Sequence, residues 1–176
     1  MTDKITIGDQ TLFDESLRYQ YDLKPTDKVL DIGSYRREFA DKIIAMYGCE
    51  VECFDALDNK AAWLFDGKLQ MGGNYLYTSS LADNPDKEYW CVDIAKYLQQ
   101  EIALCKINIE GGEYELINYI GMKGLMHNIK NLQVQFHLVS GFDSVDLYEK
   151  IAENLSLTHR LTWRFPFVWE NWERIC

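Results

Sequence analysis

The sequence predicts an α/β fold: a mostly parallel sheet with helices on both faces and an antiparallel β hairpin at its C-terminal end. Three observations predict it. Short β-rich runs alternate with segments of helical period along the chain. ALCKINI (103–109) is largely apolar, as a strand covered on both faces should be. Two β-rich runs, 157–165 and 167–175, follow the last helical pattern and are split by Pro166, which suits an antiparallel pair.

In order along the chain, residues 1–25 read as a lead-in segment. KVLDIG (28–33) is a strand bounded by Pro25 and Gly33. RREFADKIIAMY (36–47) is a helix, with Phe39, Ala40, Ile43, Ile44 and Tyr47 on one face, and Gly48 stops it. EVECF (50–54) is the next strand. Residues 58–66 read as helix, 74–79 as strand and 91–100 as helix. Strand 103–109 leads into helix 112–120, where Tyr114, Ile117 and Ile120 share a face. Residues 131–139 form a strand. Helix 142–155 follows, carrying Val145, Leu147, Tyr148, Ile151 and Leu155.

The chain has 176 residues, 47% of them hydrophobic, which fits one globular domain. Against 28 Asp and Glu stand 18 Lys and Arg, a formal net charge of −10. Such a surface repels phosphate backbones and anionic lipid, so neither nucleic acid nor membrane is an expected partner. No run of about 18 apolar residues predicts a membrane span. The opening MTDKITIGDQ lacks the apolar core of a secretory signal. Cys49, Cys53, Cys91, Cys105 and Cys176 are scattered and odd in number. They read as free thiols in a reducing cytoplasm.

In open parallel sheets, ligands bind beyond the carboxyl ends of the strands. The first such end is Asp31-Ile32-Gly33-Ser34-Tyr35-Arg36-Arg37. Gly33 suits a tight turn or close ligand approach. Neither G-x-G-x-x-G nor G-x-x-x-x-G-K-[ST] occurs, which counts against NAD and ATP. Asp55 ends the second strand, where a carboxylate can hold a ribose diol. Asp31-x-Gly33 with Asp55 describes a nucleoside pocket without a phosphate cradle, which fits S-adenosylmethionine.

Lys106, Asn108 and Glu110 fall on one face of the central strand by its period of 2. Buried polar groups of this kind need partners or a ligand. The pattern leaves open a structural Lys–Glu pair or an active site. Gly111-Gly112 allows the backbone close to a substrate. Gln133, Gln135 and His137 share a face of the next strand, while His127 and His159 read as surface or edge residues. A hard-cation site at His137, Glu110 and Asn108 is conceivable. Its spacing is not diagnostic, and no metal is expected.

Two stretches carry a resemblance. VLDIGSYRREFA resembles the first cofactor motif of class I methyltransferases. KINIEGGEYELI followed by IKNLQVQFH resembles the signature of the FkbM-type methyltransferase family. FPFVWENW resembles a bacterial and phage-associated branch of it, and the likeness spans about residues 26–176. The resemblance implies a Rossmann-like class I methyltransferase fold, with a seven-stranded sheet ending in an antiparallel hairpin. It implies O-methylation of a sugar, glycan or related small molecule with S-adenosylmethionine as cofactor. Asp31, Gly33, Ser34 and Tyr35 would line the methionine part, Asp55 the ribose, and Ser79, Ser80 and Leu81 the adenine. Lys106, Asn108 and Glu110 would face the methyl and the acceptor, with His137 nearby. His137 or Glu110 is the candidate base, and Lys106 would hold Glu110 ionised or bind the acceptor.

The chain departs from the family pattern in two places. Arg37 replaces the second glycine of D-x-G-x-x-x-G, where it either crowds the cofactor or pairs with its carboxylate. Phe54-Asp55-Ala56 replaces F-E-P, and the 56–90 region is short. A second reading is therefore a non-catalytic descendant, its pocket part-filled by Arg37, serving as a binding or assembly partner. A nicotinamide oxidoreductase is a third. Trp163, Trp169 and Trp172 either stack on sugar or pack on the sheet edge. Pairing of the C-terminal β runs into a homo-oligomer stays open.

Overall fold

The most apolar runs of the sequence form the centre of a six-stranded sheet. The computed structural model describes residues 4–7, 10–55, 68–71, 74–77, 93–139 and 143–175, with side chains over 14–55, 93–139 and 143–175. The main sheet contains β3 (Lys28–Ile32), β4 (Glu50–Phe54), β7 (Leu104–Ile107), β8 (Asn131–Val134), β9 (His159–Phe165) and β10 (Trp169–Arg174). Their order is β4-β3-β7-β8-β10-β9. The first four are parallel, and β10 runs antiparallel to both β8 and β9. Two separate hairpins pair β1 (Lys4–Ile7) with β2 (Gln10–Asp14) and β5 (Lys68–Met71) with β6 (Asn74–Tyr77). The segment read as a lead-in thus contains a hairpin, and β5 carries no strand signal in the sequence reading.

Alternation along the strands sorts the core onto two faces. On one face Val29 and Leu104 pack with Phe39 and Ile43 of α1 (Glu38–Tyr47) and with Tyr19 and Leu23. On the other, Leu30, Ile32, Cys105, Ile107, Leu132 and Val134 lie under α2 (Glu113–Met122) and α3 (Ser144–Ser156). Asp143 caps α3 by accepting from the Asp146 N–H at 3.0 Å. Gly48 ends α1 with a left-handed φ of 69°.

Several expectations are corrected. The run 131–139 is a strand only to Val134: the Gln135 N–H still donates to the Ile107 carbonyl at 3.0 Å, but the His137 N–H turns to Glu113 Oε1 at 2.6 Å. Of the run 91–100, read as helix, the described residues 93–100 hold only a short 3-10 turn at Ile94–Lys96, with Asp93 accepting from the Ala95 N–H. His159 lies on the edge strand β9, as the edge reading has it, but is buried and not at the surface; its Nε2 lies 2.9 Å from the Ile129 carbonyl oxygen and its Nδ1 2.9 Å from Thr158 Oγ1. Burial lowers its pKa against the bond to Ile129. Trp169 and Trp172 are buried in the sheet, as packing residues are. The implied seven-stranded sheet has six strands among the described residues. The 58–66 helix, Ser79, Ser80, Leu81, Cys91 and Cys176 lie outside the described residues. Among the described residues no helix is long and apolar enough to cross a membrane.

The chain leaves β3 to β4 on one side and reaches β7 on the other, so the switch point lies between β3 and β7. There Gly33 has φ +81°, and a Cβ on it would collide with the Asn108 carbonyl oxygen. Gly33→Ala is therefore expected to cost about 3 kcal/mol or more. A urea titration followed by circular dichroism measures the loss.

Candidate functional site

The turn after β3 is fastened from three sides. The Gly33 and Ser34 N–H groups donate to the Phe54 carbonyl at 2.7 and 3.1 Å. The Tyr35 N–H donates to Asp55 Oδ2 at 2.8 Å. From β7, Lys106 Nζ donates to the Gly33 carbonyl at 2.6 Å and to Asp31 Oδ1 at 2.9 Å. Asp31 is 0% and Lys106 3% exposed. Burial lowers the Lys106 pKa, against the charge and hydrogen bond of Asp31.

Lys106 is thus paired with Asp31 and the Gly33 carbonyl, and not with Glu110 as the sequence suggested. The period of 2 breaks beyond Ile107, and Glu110 sits in a turn with φ +54° followed by Gly111 at φ +103°. Asp31, Lys106, Gln133 and Asn171 instead occupy paired register positions across four adjacent strands, all buried. The segment before β3 roofs this polar row. Gln133 donates to the Arg18 carbonyl and to Tyr21 Oη at 2.8 and 2.6 Å, and Tyr21 donates to Asn171 Oδ1 at 3.1 Å. The Arg18 guanidinium stacks 3.9 Å from the Trp169 ring centroid.

Three buried polar atoms at the strand tips have no nitrogen or oxygen partner: Asp31 Oδ2, Ser34 Oγ and Asn108 Oδ1. The Ser34 side chain lies against the Cys53 thiol, whose pKa burial pushes up to about 11. Arg37 neither fills this place nor crowds it. Its guanidinium is part-exposed, 3.6 Å from Asp41 on α1. Its backbone keeps the left-handed φ of 62° that a glycine would favour, beside Arg36 at 58°.

A second cluster lies beyond β8. The His137 ring nitrogen Nδ1 is 3.0 Å from Glu113 Oε1, and Nε2 is 3.7 Å from Glu110 Oε2. Burial lowers the His137 pKa, but the hydrogen bond and charge of Glu113 and the charge of Glu110 outweigh it and raise the pKa overall. The structure thus brings His137 to Glu110, as the sequence suggested, and adds Glu113. The sequence signal for Glu113 was an acid opening a helix directly after Gly111-Gly112. Among the described residues no group of three or more His, Cys, Asp and Glu could hold a metal ion. A groove of about 510 Å³ starts at Gly111 and Val139 and runs between α2 and α3, but neither Asp31 nor His137 lines it.

Two predictions follow from this geometry. Lys106→Met strands the Asp31 charge and should cost about 3–5 kcal/mol; Asp31→Asn in the same chain should restore part of it, as urea melts of the single and double variants will read. Arg37→Gly removes left-handed strain and should stabilise the fold by about 1 kcal/mol, a rise of about 2–4 °C in calorimetry. No family model matches the chain, and no curated protein and no solved structure matches it either.

Proposed function

We propose that the chain is an S-adenosylmethionine-dependent O-methyltransferase of the FkbM type, with a class I methyltransferase fold, acting on a hydroxyl of a sugar, glycan or related small molecule. The observation that carries this reading is the set of unpartnered buried acceptors at the switch point, Asp31 Oδ2 and Asn108 Oδ1, with the Ser34 hydroxyl beside them. A buried acceptor without a donor costs about 1–3 kcal/mol. A cationic, donor-rich group, such as the ammonium of an amino acid moiety, is their chemical complement. The parallel sheet ending in the β9–β10 antiparallel pair supports the same reading.

The cofactor would supply a methyl group on a positively charged sulfur. Asp31, Ser34 and Asn108 would hold its amino acid end. Asp55, at the tip of β4, would accept from the ribose hydroxyls while its Oδ2 keeps the Tyr35 N–H. The three atoms are sealed from solvent, so binding requires the strand tips to open. A sugar hydroxyl is a poor nucleophile at neutral pH, and a base within hydrogen-bond reach assists it. His137 is the base in this reading, with Glu110 beside its Nε2.

The sealed turn also favours a second reading, a fold that keeps its frame and serves as a binding or assembly partner. Calorimetry separates the two. On the first reading S-adenosylmethionine binds, and Asp55→Ala weakens it at least tenfold, a loss of about 1.4 kcal/mol. No heat at millimolar cofactor, with the fold intact, would leave only the second reading.

A further inference from the structure

The carboxylate of Glu113 is completely buried, with 0% exposure. It lies in the first turn of α2, where the helix dipole favours a negative charge. All its resolved bonds come from the two strand-end segments around the turn. Oε2 accepts from the Gly111 N–H at 2.9 Å. Oε1 accepts from the His137 N–H at 2.6 Å and lies 3.0 Å from Nδ1 of the same residue. An ionised carboxylate only accepts, so Nδ1 must be the protonated nitrogen of the ring. The lone pair of the neutral imidazole is then on Nε2, on the side of Glu110.

The turn is shaped to give that arrangement. Glu110 adopts a left-handed φ of 54°, which costs a non-glycine residue about 1–3 kcal/mol. Its side chain is 72% exposed and stands 3.7 Å from Nε2. Four groups face or fix the ring segment: Glu113 from α2, Glu110 from the turn, the Gln135 backbone, and Tyr114, whose hydroxyl donates to the His137 carbonyl at 2.8 Å.

We infer that Glu113 is the positioning residue of a carboxylate-oriented general base: it fixes His137 as the Nδ1-protonated tautomer and presents Nε2 at the sheet tip. The inference rests on the proposed methyl transfer for its chemical purpose. In that transfer the acceptor oxygen bonds the methyl carbon as the carbon–sulfur bond breaks. The bonding pair stays on sulfur, leaving a neutral thioether, and the hydroxyl proton moves to Nε2. Glu113 and Glu110 then flank the imidazolium. A base is needed by a hydroxyl and superfluous for a carboxylate acceptor, so the arrangement favours hydroxyl substrates.

Histidine side-chain NMR on the full chain tests this, because only His127, His137 and His159 contribute. Neutral His137 should carry its proton on Nδ1 and titrate above its ordinary value, while His159 titrates below and reports that the fold is intact. Glu113→Gln should shift the His137 titration downward and abolish the tautomer preference, and Glu113→Asp should restore part of both. Glu110→Gln should lower the titration and leave the tautomer unchanged. An Nε2-protonated ring in the wild type overturns the inference, even where Glu113→Gln fails to fold. So does an unchanged His137 in folded Glu113→Gln. If the tautomer is as expected and calorimetry finds no cofactor, the oriented base stands and the methyl-transfer reading falls.

Discussion

The buried ammonium of Lys106 is the contact around which the strand tips are organised. It joins Asp31 on β3 to the turn that follows it, through the Gly33 carbonyl. Both charges are almost wholly removed from water, so each depends on the other. The cost of burying the pair is offset in part by close geometry and by the second bond of the ammonium to the Gly33 carbonyl, while Asp31 Oδ2 stays without a partner. Gln133 and Asn171 continue the same lateral row, and Tyr21 ties them together from above. A network of this kind specifies register as well as adding stability, since a slip of one residue would bury unpaired groups.

Among the described residues, the left-handed non-glycine angles other than that of Phe167, between β9 and β10, fall at two of these tips. Gly33, Arg36 and Arg37 follow β3, and Glu110 and Gly111 follow β7. Glycine accepts such angles readily, while the two arginines and the glutamate take them at a cost. The two turns press against each other where Gly33 meets Asn108. Asp31 Oδ2 and Asn108 Oδ1, buried without partners, belong to the strand and the segment that carry these two turns. In the cluster of His137, Glu110 and Glu113 the His137 ring is part-exposed.

A good part of the site was visible in the residues. Asp31, Gly33 and Asp55 fall at strand tips because apolar strand runs end there, and His137 and Glu110 meet because their strands are neighbours. Lys106 was misplaced for an instructive reason. Alternation assigns a side chain to a face of the sheet, but it does not say whether another segment covers that face. Here Arg18, Tyr19 and Tyr21 cover it, from more than 80 residues away. Glu113 was missed because an acid in a helix's first turn is ordinary in sequence, and only its contact with His137 sets it apart.

The amino-acid sequence by itself determined the alternation of strands and helices, the parallel centre of the sheet and the antiparallel pair around Pro166. Those features follow from local periodicity and from turn residues, which act over a few positions. Tertiary structure alone decided where the polar side chains find partners: Lys106 with Asp31, His159 with the Ile129 carbonyl, His137 with Glu113. It also decided where strand 131–139 stops, because past Gln135 the His137 N–H pairs with the Glu113 carboxylate and not with a neighbouring strand. Pairing of this kind depends on distances between segments far apart in the chain, and no local pattern encodes those distances.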